Sequence, residues 1–179
     1  MQFKTALLAL GIIGMPGLAM ASNTIKFQGL VNTSTCSVTV NNSATALVVL
    51  PTVAAADLAT LGTTAGETNF TVGVSGCPSD ANDKVLTVGF VGNNVNATGH
   101  LVNSGTAANV ELVVSNLSNG TILNLNNWTS QSAVDGITLP ANTTSAERDY
   151  FVRYYATGVA SVGSVGSVTG SMQYSISYP

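Results

Sequence analysis

The last stretch of the chain, "GSVTGSMQYSISYP" (166–179), alternates strictly. Val168, Gly170, Met172, Tyr174, Ile176 and Tyr178 fall on one face, and Thr169, Ser171, Gln173, Ser175 and Ser177 on the other. A period of two with one apolar side is the pattern of a half-buried β-strand. Taken alone, it is a terminal strand closing a sandwich. The other end carries a similar pattern in "FQGLVNTSTC" (27–36) and the residues just before it. There Ile25, Phe27, Gly29, Val31 and Thr33 share a face, with Lys26, Gln28 and Asn32 opposite and Leu30 breaking the rule. Both ends therefore read as amphipathic strands, one of them running into a cysteine.

The same period fills the middle. "CSVTV" (36–40), "ALVVL" (46–50), "FTVGV" (70–74), "VLTVGFV" (85–91), "VELVVSNL" (110–117) and "YFVRYYA" (150–156) are rich in Val, Thr and aromatic residues, which suit a pleated surface. Clusters such as "GCPSDAND", "GNNVNATG", "SNGT" and "PANTTS" separate them with turn chemistry. Only "AAADLATLG" (54–62) suggests a helical turn or two. Many short strands at such spacing predict an all-β sandwich. There is no tandem repeat and no dividing linker, so residues 36–179 are expected to form one domain.

Residues 1–21 read as a signal peptide. Lys4 is the positive n-region, Ala6 to Ile13 is apolar but too short to span a bilayer, and Ala19-Met20-Ala21 is a small-residue cleavage site. The product is expected to be exported and soluble. Its basic residues are then Lys26, Lys84, Arg148 and Arg153, outnumbered by acids, so there is no basic patch for nucleic acid. Charged residues make up only 7% of the chain, a surface that repels its own copies weakly. In an oxidising compartment, Cys36 and Cys77 are expected to form a disulfide. A metal pair lacks ligands, since His100 is the only histidine and there is no CxxC.

No catalytic constellation is legible. His100 sits in the loop-like "NATGHLVNSG" with no acid or cysteine close in sequence, and is expected to be solvated. Asp80 and Asp83 in "PSDAND" lack the ligand alternation of a calcium loop and read as an Asx-rich turn. Glu147 and Asp149 flank Arg148 as a solvated strand start. Trp128 is expected to serve packing, and the Asn-x-Ser/Thr triplets follow from composition. No cofactor and no metal are expected.

The two ends, together with the cysteines, resemble the chaperone–usher pilins, most nearly the major subunits of type 1 fimbriae. Phe27 lies nine residues before Cys36 and Gly29 two after Phe27; Cys77 stands at the family's distance for the second cysteine; "VRYYATG" (152–158) is similar to a late strand motif; Gly166, fourteenth from the carboxyl end, and penultimate Tyr178 match the C-terminal signature. The terminal Pro179, with no N–H, is a departure. The resemblance implies an immunoglobulin-like sandwich lacking its final strand. It implies that residues 22–35 are an extension whose Ile25, Phe27, Gly29, Val31 and Thr33 serve as a donor strand for a neighbour. It implies that Gly166, Val168, Gly170, Met172, Tyr174, Ile176 and Tyr178 line the acceptor groove, which a periplasmic chaperone fills first and a neighbouring subunit fills later at an outer-membrane usher. The expected function is a non-enzymatic structural subunit of a surface fimbria, a homopolymer used for adhesion. A minor adaptor pilin of the same fibre would carry the same motifs. A secreted carbohydrate-binding sandwich is the competing class, and it leaves the extension and the C-terminal signature without a purpose.

Overall fold

Alternating Val, Leu and aromatic residues build two antiparallel sheets in the computed structural model, which describes residues 36–44, 46–126, 136–158 and 165–178. The larger sheet has the order β1-β2-β7-β5-β4, from β1 (Ser37–Val40), β2 (Thr64–Ser75), β7 (Ala146–Ala156), β5 (Val110–Ser115) and β4 (Leu101–Val102). The smaller sheet has the order β6-β3-β8, from β6 (Ile137–Leu139), β3 (Lys84–Gly92) and β8 (Met172–Ser177). The expected signal peptide and extension, with Ile25, Phe27, Gly29, Val31 and Thr33, lie outside the described residues, as does Trp128.

The period of two decides which residues meet between the sheets. Phe70, Val72 and Val74 of β2, with Tyr150 and Val152 of β7, face Leu86, Val88 and Phe90 of β3, and all are buried. At the centre, Phe90 meets Tyr150 edge-on at 4.9 Å between ring centroids, and Phe70 stacks on Tyr150 at 5.9 Å. Such offset and edge-to-face pairs favour the ring quadrupoles and contribute about 0.5–1.5 kcal/mol each beyond area burial. The Cys36–Cys77 disulfide ties the start of β1 to the residues after β2.

"AAADLATLG" forms the short helical turn expected of it, a single 3-10 turn over Ala55–Leu58. Two strand expectations are corrected. The strand expected over 167–177 is regular only from Met172. Before it, the carbonyls of Ser167, Thr169 and Ser171 accept from the N–H groups of Ala107, Ser104 and Asn93. The chain there is tied on one side by a loop rather than by a strand.

The second correction is "ALVVL" (46–50), which is not in a sheet. Asn41 and Asn42 both take left-handed conformations, φ 48° and 61°, which Asn tolerates better than most residues. Their turn, fixed by main-chain bonds between Val40 and Ser43, carries the chain off the edge of β2. No main-chain hydrogen bond joins residues 46–50 to the other described residues. The sequence has a strand's pattern, but the described residues supply no ladder partner.

His100 is also corrected. The β4–β5 hairpin pairs Val102 with Glu111, so an acid remote in sequence arrives beside the imidazole. Nδ1 of His100 lies 3.1 Å from a Glu111 oxygen, its side chain is only 11% exposed, and its ring packs edge-on against Tyr155. Asn96 completes the cluster by donating to both Glu111 oxygens. By contrast, "PSDAND" is the Asx turn expected: Asp80 accepts the N–H of Asn82, and Asp83 that of Ala141.

Candidate functional site

Two chain edges that pair with no strand among the described residues face each other across the open side of the sandwich. One is β8, an edge strand of the smaller sheet that among the described residues is bonded only to β3. The other is the 46–50 segment. Between them lies a cleft of about 360 Å³. Ala46, Val48 and Leu50 line one wall, and Gly170, Met172 and Tyr174 the other. Its floor is the core itself, with Phe70, Phe90, Leu112 and Val114 reaching it from both sheets.

Each wall follows from local chemistry. Along β8 the inward side chains of Met172, Tyr174 and Ile176 remain only partly buried, although the core beneath them is closed. Upstream, alternate residues bond to the 93–107 loop, and no main-chain bond from the described residues reaches Val168 or Gly170. That is how an extended segment looks when one edge is satisfied and the other is free. The opposite wall is held at its end by Tyr154, whose hydroxyl donates to the Pro51 carbonyl at 3.2 Å. Burial of Tyr154 raises its pKa above the ordinary phenol value, so the donor keeps its proton.

Further along the same two segments, a second hollow of about 490 Å³ opens between Val53, Leu58 and Val110 on one side and Gly166 and Val168 on the other. Gly166 is there because nothing larger fits. A Cβ would stand 2.4 Å from Thr106 Oγ1 and 2.6 Å from the Ala107 nitrogen. Gly170 has more room, its Cβ position lying 3.2 Å from a Leu112 methyl, and its missing side chain lowers the cleft floor.

Of the groove residues expected from the sequence, Gly170, Met172 and Tyr174 thus meet in the main cleft, and Gly166 and Val168 in the second hollow. Ile176 and Tyr178 pack against the core instead, and the Tyr178 hydroxyl accepts the Cys36 N–H at 2.8 Å. Sequence reading missed the opposite wall as a wall. Its signal was present, an apolar run directly after an Asn-Asn turn. The described residues contain no cluster of three or more His, Cys, Asp or Glu that could hold a metal.

A two-sheet sandwich with an apolar cleft open between 46–50 and β8 defines the class: an incomplete immunoglobulin-like domain of the pilus-subunit type. Its backbone superposes on the P pilus rod subunit PapA with a TM-score of 0.57 at 15% identity, covering 80% of this chain and 99% of that one. A subunit chain from a chaperone–usher pilus gives 0.56 at 16% identity, covering 92% and 100%. Residues 25–179 match the family model "Fimbrial protein", and the chain belongs to that family. It is 34% identical to the F17 fimbrial protein of Escherichia coli, over 93% of this chain and 96% of the relative. It is 33% identical to the major fimbrial subunit SMF-1 of Stenotrophomonas maltophilia strain K279a, over 88% and 93%. The protein is a structural fimbrial subunit that assembles with other pilins into a cell-surface pilus.

Proposed function

We propose that the subunit polymerises by strand addition, with residues 22–35 of one copy laid into the cleft of the next. The observation that carries this reading is the pair of free edges, 46–50 and β8, facing each other over an apolar floor. A strand placed there would find main-chain partners on both sides and pockets for alternate side chains. Ile25, Phe27 and Val31 would each bury a side chain, stabilising by about 1.5–3 kcal/mol. Gly29 would pass where the groove has no room, the usual meaning of a mid-strand glycine.

Before assembly the open cleft needs a surrogate strand. A periplasmic chaperone supplies it, and an outer-membrane usher exchanges it for the neighbour's extension. Residues 1–21 direct export and are removed after Ala21. The chain has no catalytic role, and the description of its relative as a major fimbrial subunit supports a place in the fibre's main body rather than as a minor adaptor. Deletion of residues 24–33 tests the reading. The truncated subunit should fold in complex with the chaperone and form neither fibres nor SDS-resistant ladders. Fibres of ordinary length from that variant would overturn it.

A further inference from the structure

The Cys36 N–H donates to the Tyr178 hydroxyl at 2.8 Å, joining residues 142 positions apart. The bond has an unusual location. Cys36 immediately precedes β1, the edge strand of the larger sheet, and Tyr178 immediately follows β8, the edge strand of the smaller one. It therefore spans the two sheets at the end of the sandwich where residues 22–35 join the domain. We propose that Tyr178 is a positioning residue that sets the direction in which the extension leaves the domain, and with it the angle between successive subunits of the fibre. The proposal rests on the strand-addition reading.

The disulfide to Cys77 fixes the Cys36 side chain, and pairing of Ser37 with Ser75 fixes the chain that follows. Neither fixes the chain that precedes. A peptide unit is planar, so the Cys36 N–H shares a plane with the carbonyl of the residue before it. Holding that N–H in a fixed direction holds the whole unit, and thus the heading of the chain as it leaves. The side chain that does so belongs to the end of the strand lining the subunit's own groove. The exit of one extension is thereby coupled to the strand that receives another.

Tyr178→Phe removes the acceptor oxygen and keeps the ring that packs against the core. Fibres should still form. Exchange at the Cys36 amide, read by mass spectrometry on purified fibres, should rise about three- to tenfold, the factor expected for one lost hydrogen bond. Fibre persistence length, read from electron micrographs, should fall as the inter-subunit angle broadens. Unchanged Cys36 exchange or unchanged stiffness overturns the proposal. So does a Tyr178→Phe subunit that is folded and disulfide-bonded yet never assembles, because the hydroxyl would then serve assembly itself rather than its angle. Failure of the underlying reading is seen separately, in normal fibres from the 24–33 deletion.

Discussion

The Arg153 guanidinium meets the Glu67 carboxylate at 2.8 Å on the outer face of the larger sheet. The pair also organises the 116–120 loop: Arg153 donates to the Gly120 carbonyl, and Glu67 accepts from the Ser118 hydroxyl and the Asn119 N–H. Burial pushes the Glu67 pKa up, but the hydrogen bonds from Ser118, Asn119 and Arg153, with the Arg153 charge, outweigh it and hold the carboxyl below its ordinary value. A depressed folded pKa stabilises above the ordinary carboxylate range and loses that contribution as pH falls through the depressed value.

The subunit's thermal midpoint should therefore fall as the pH drops below the ordinary carboxylate range and through the depressed Glu67 value, beyond the fall shared by its other carboxylates. Glu67→Gln should be less stable at neutral pH and should show a shallower acid dependence. Thermal scans across that range, wild type against variant, check both; parallel curves would mean that the pair is not coupled to stability.

Cys36→Ser should lower the yield of folded subunit more than any single loop substitution. The bond closes a span of 41 positions, worth about 4 kcal/mol in the chain-entropy picture, in a domain that already lacks one strand. Yield and protease resistance of the variant are the measurements, with mass spectrometry confirming that the wild-type thiols are paired.

Expressed without a chaperone, the subunit should aggregate or be degraded. Met172, Tyr174 and Ile176 are only partly buried along an unpaired edge, the kind of template that recruits other chains. Size-exclusion chromatography after refolding decides the matter: a monodisperse, heat-stable monomer would contradict the open-groove reading.

Gly29→Leu should leave folding and chaperone binding nearly intact and abolish polymerisation. The added side chain would have to enter a close part of the neighbour's groove, where overpacking costs about 1–3 kcal/mol or more. Gln28→Leu, on the opposite face, should be far milder. Comparison of pilus length and SDS-resistant ladders tests the pair; normal assembly of Gly29→Leu removes residues 22–35 from the donor role.

How far the sequence could be read depended on strand length and on where each partner came from. β8 was legible because Met172, Tyr174 and Ile176 alternate over several residues, and the core positions of β2 and β3 were legible for the same reason. β4 and β6 span two and three residues, too few for any period to show. Without β4 the contact between His100 and Glu111 could not be foreseen. "ALVVL" misled in an instructive way. Its pattern is honest about burial, since Val48 and Leu50 do pack on the core, but pattern says nothing about whether a ladder partner exists in the same chain. One wall of the candidate groove was therefore legible in the residues, the groove itself was expected only from the family resemblance, and the 46–50 wall was not foreseen.

The turn at Asn41 and Asn42 has a kinetic consequence. Before it, β1 pairs in the larger sheet; after it, 46–50 leaves the ladder and stands across the cleft from β8 of the smaller sheet. A strand inserted beyond that turn would be held by 46–50 on one side, by β8 on the other and by the core beneath, so it could not peel from one while resting on the other. Release would require the whole sandwich to loosen in a single event. The durability of a joint between subunits would then be governed by the height of an unfolding barrier rather than by a binding equilibrium, and the fibre's lifetime by a rate.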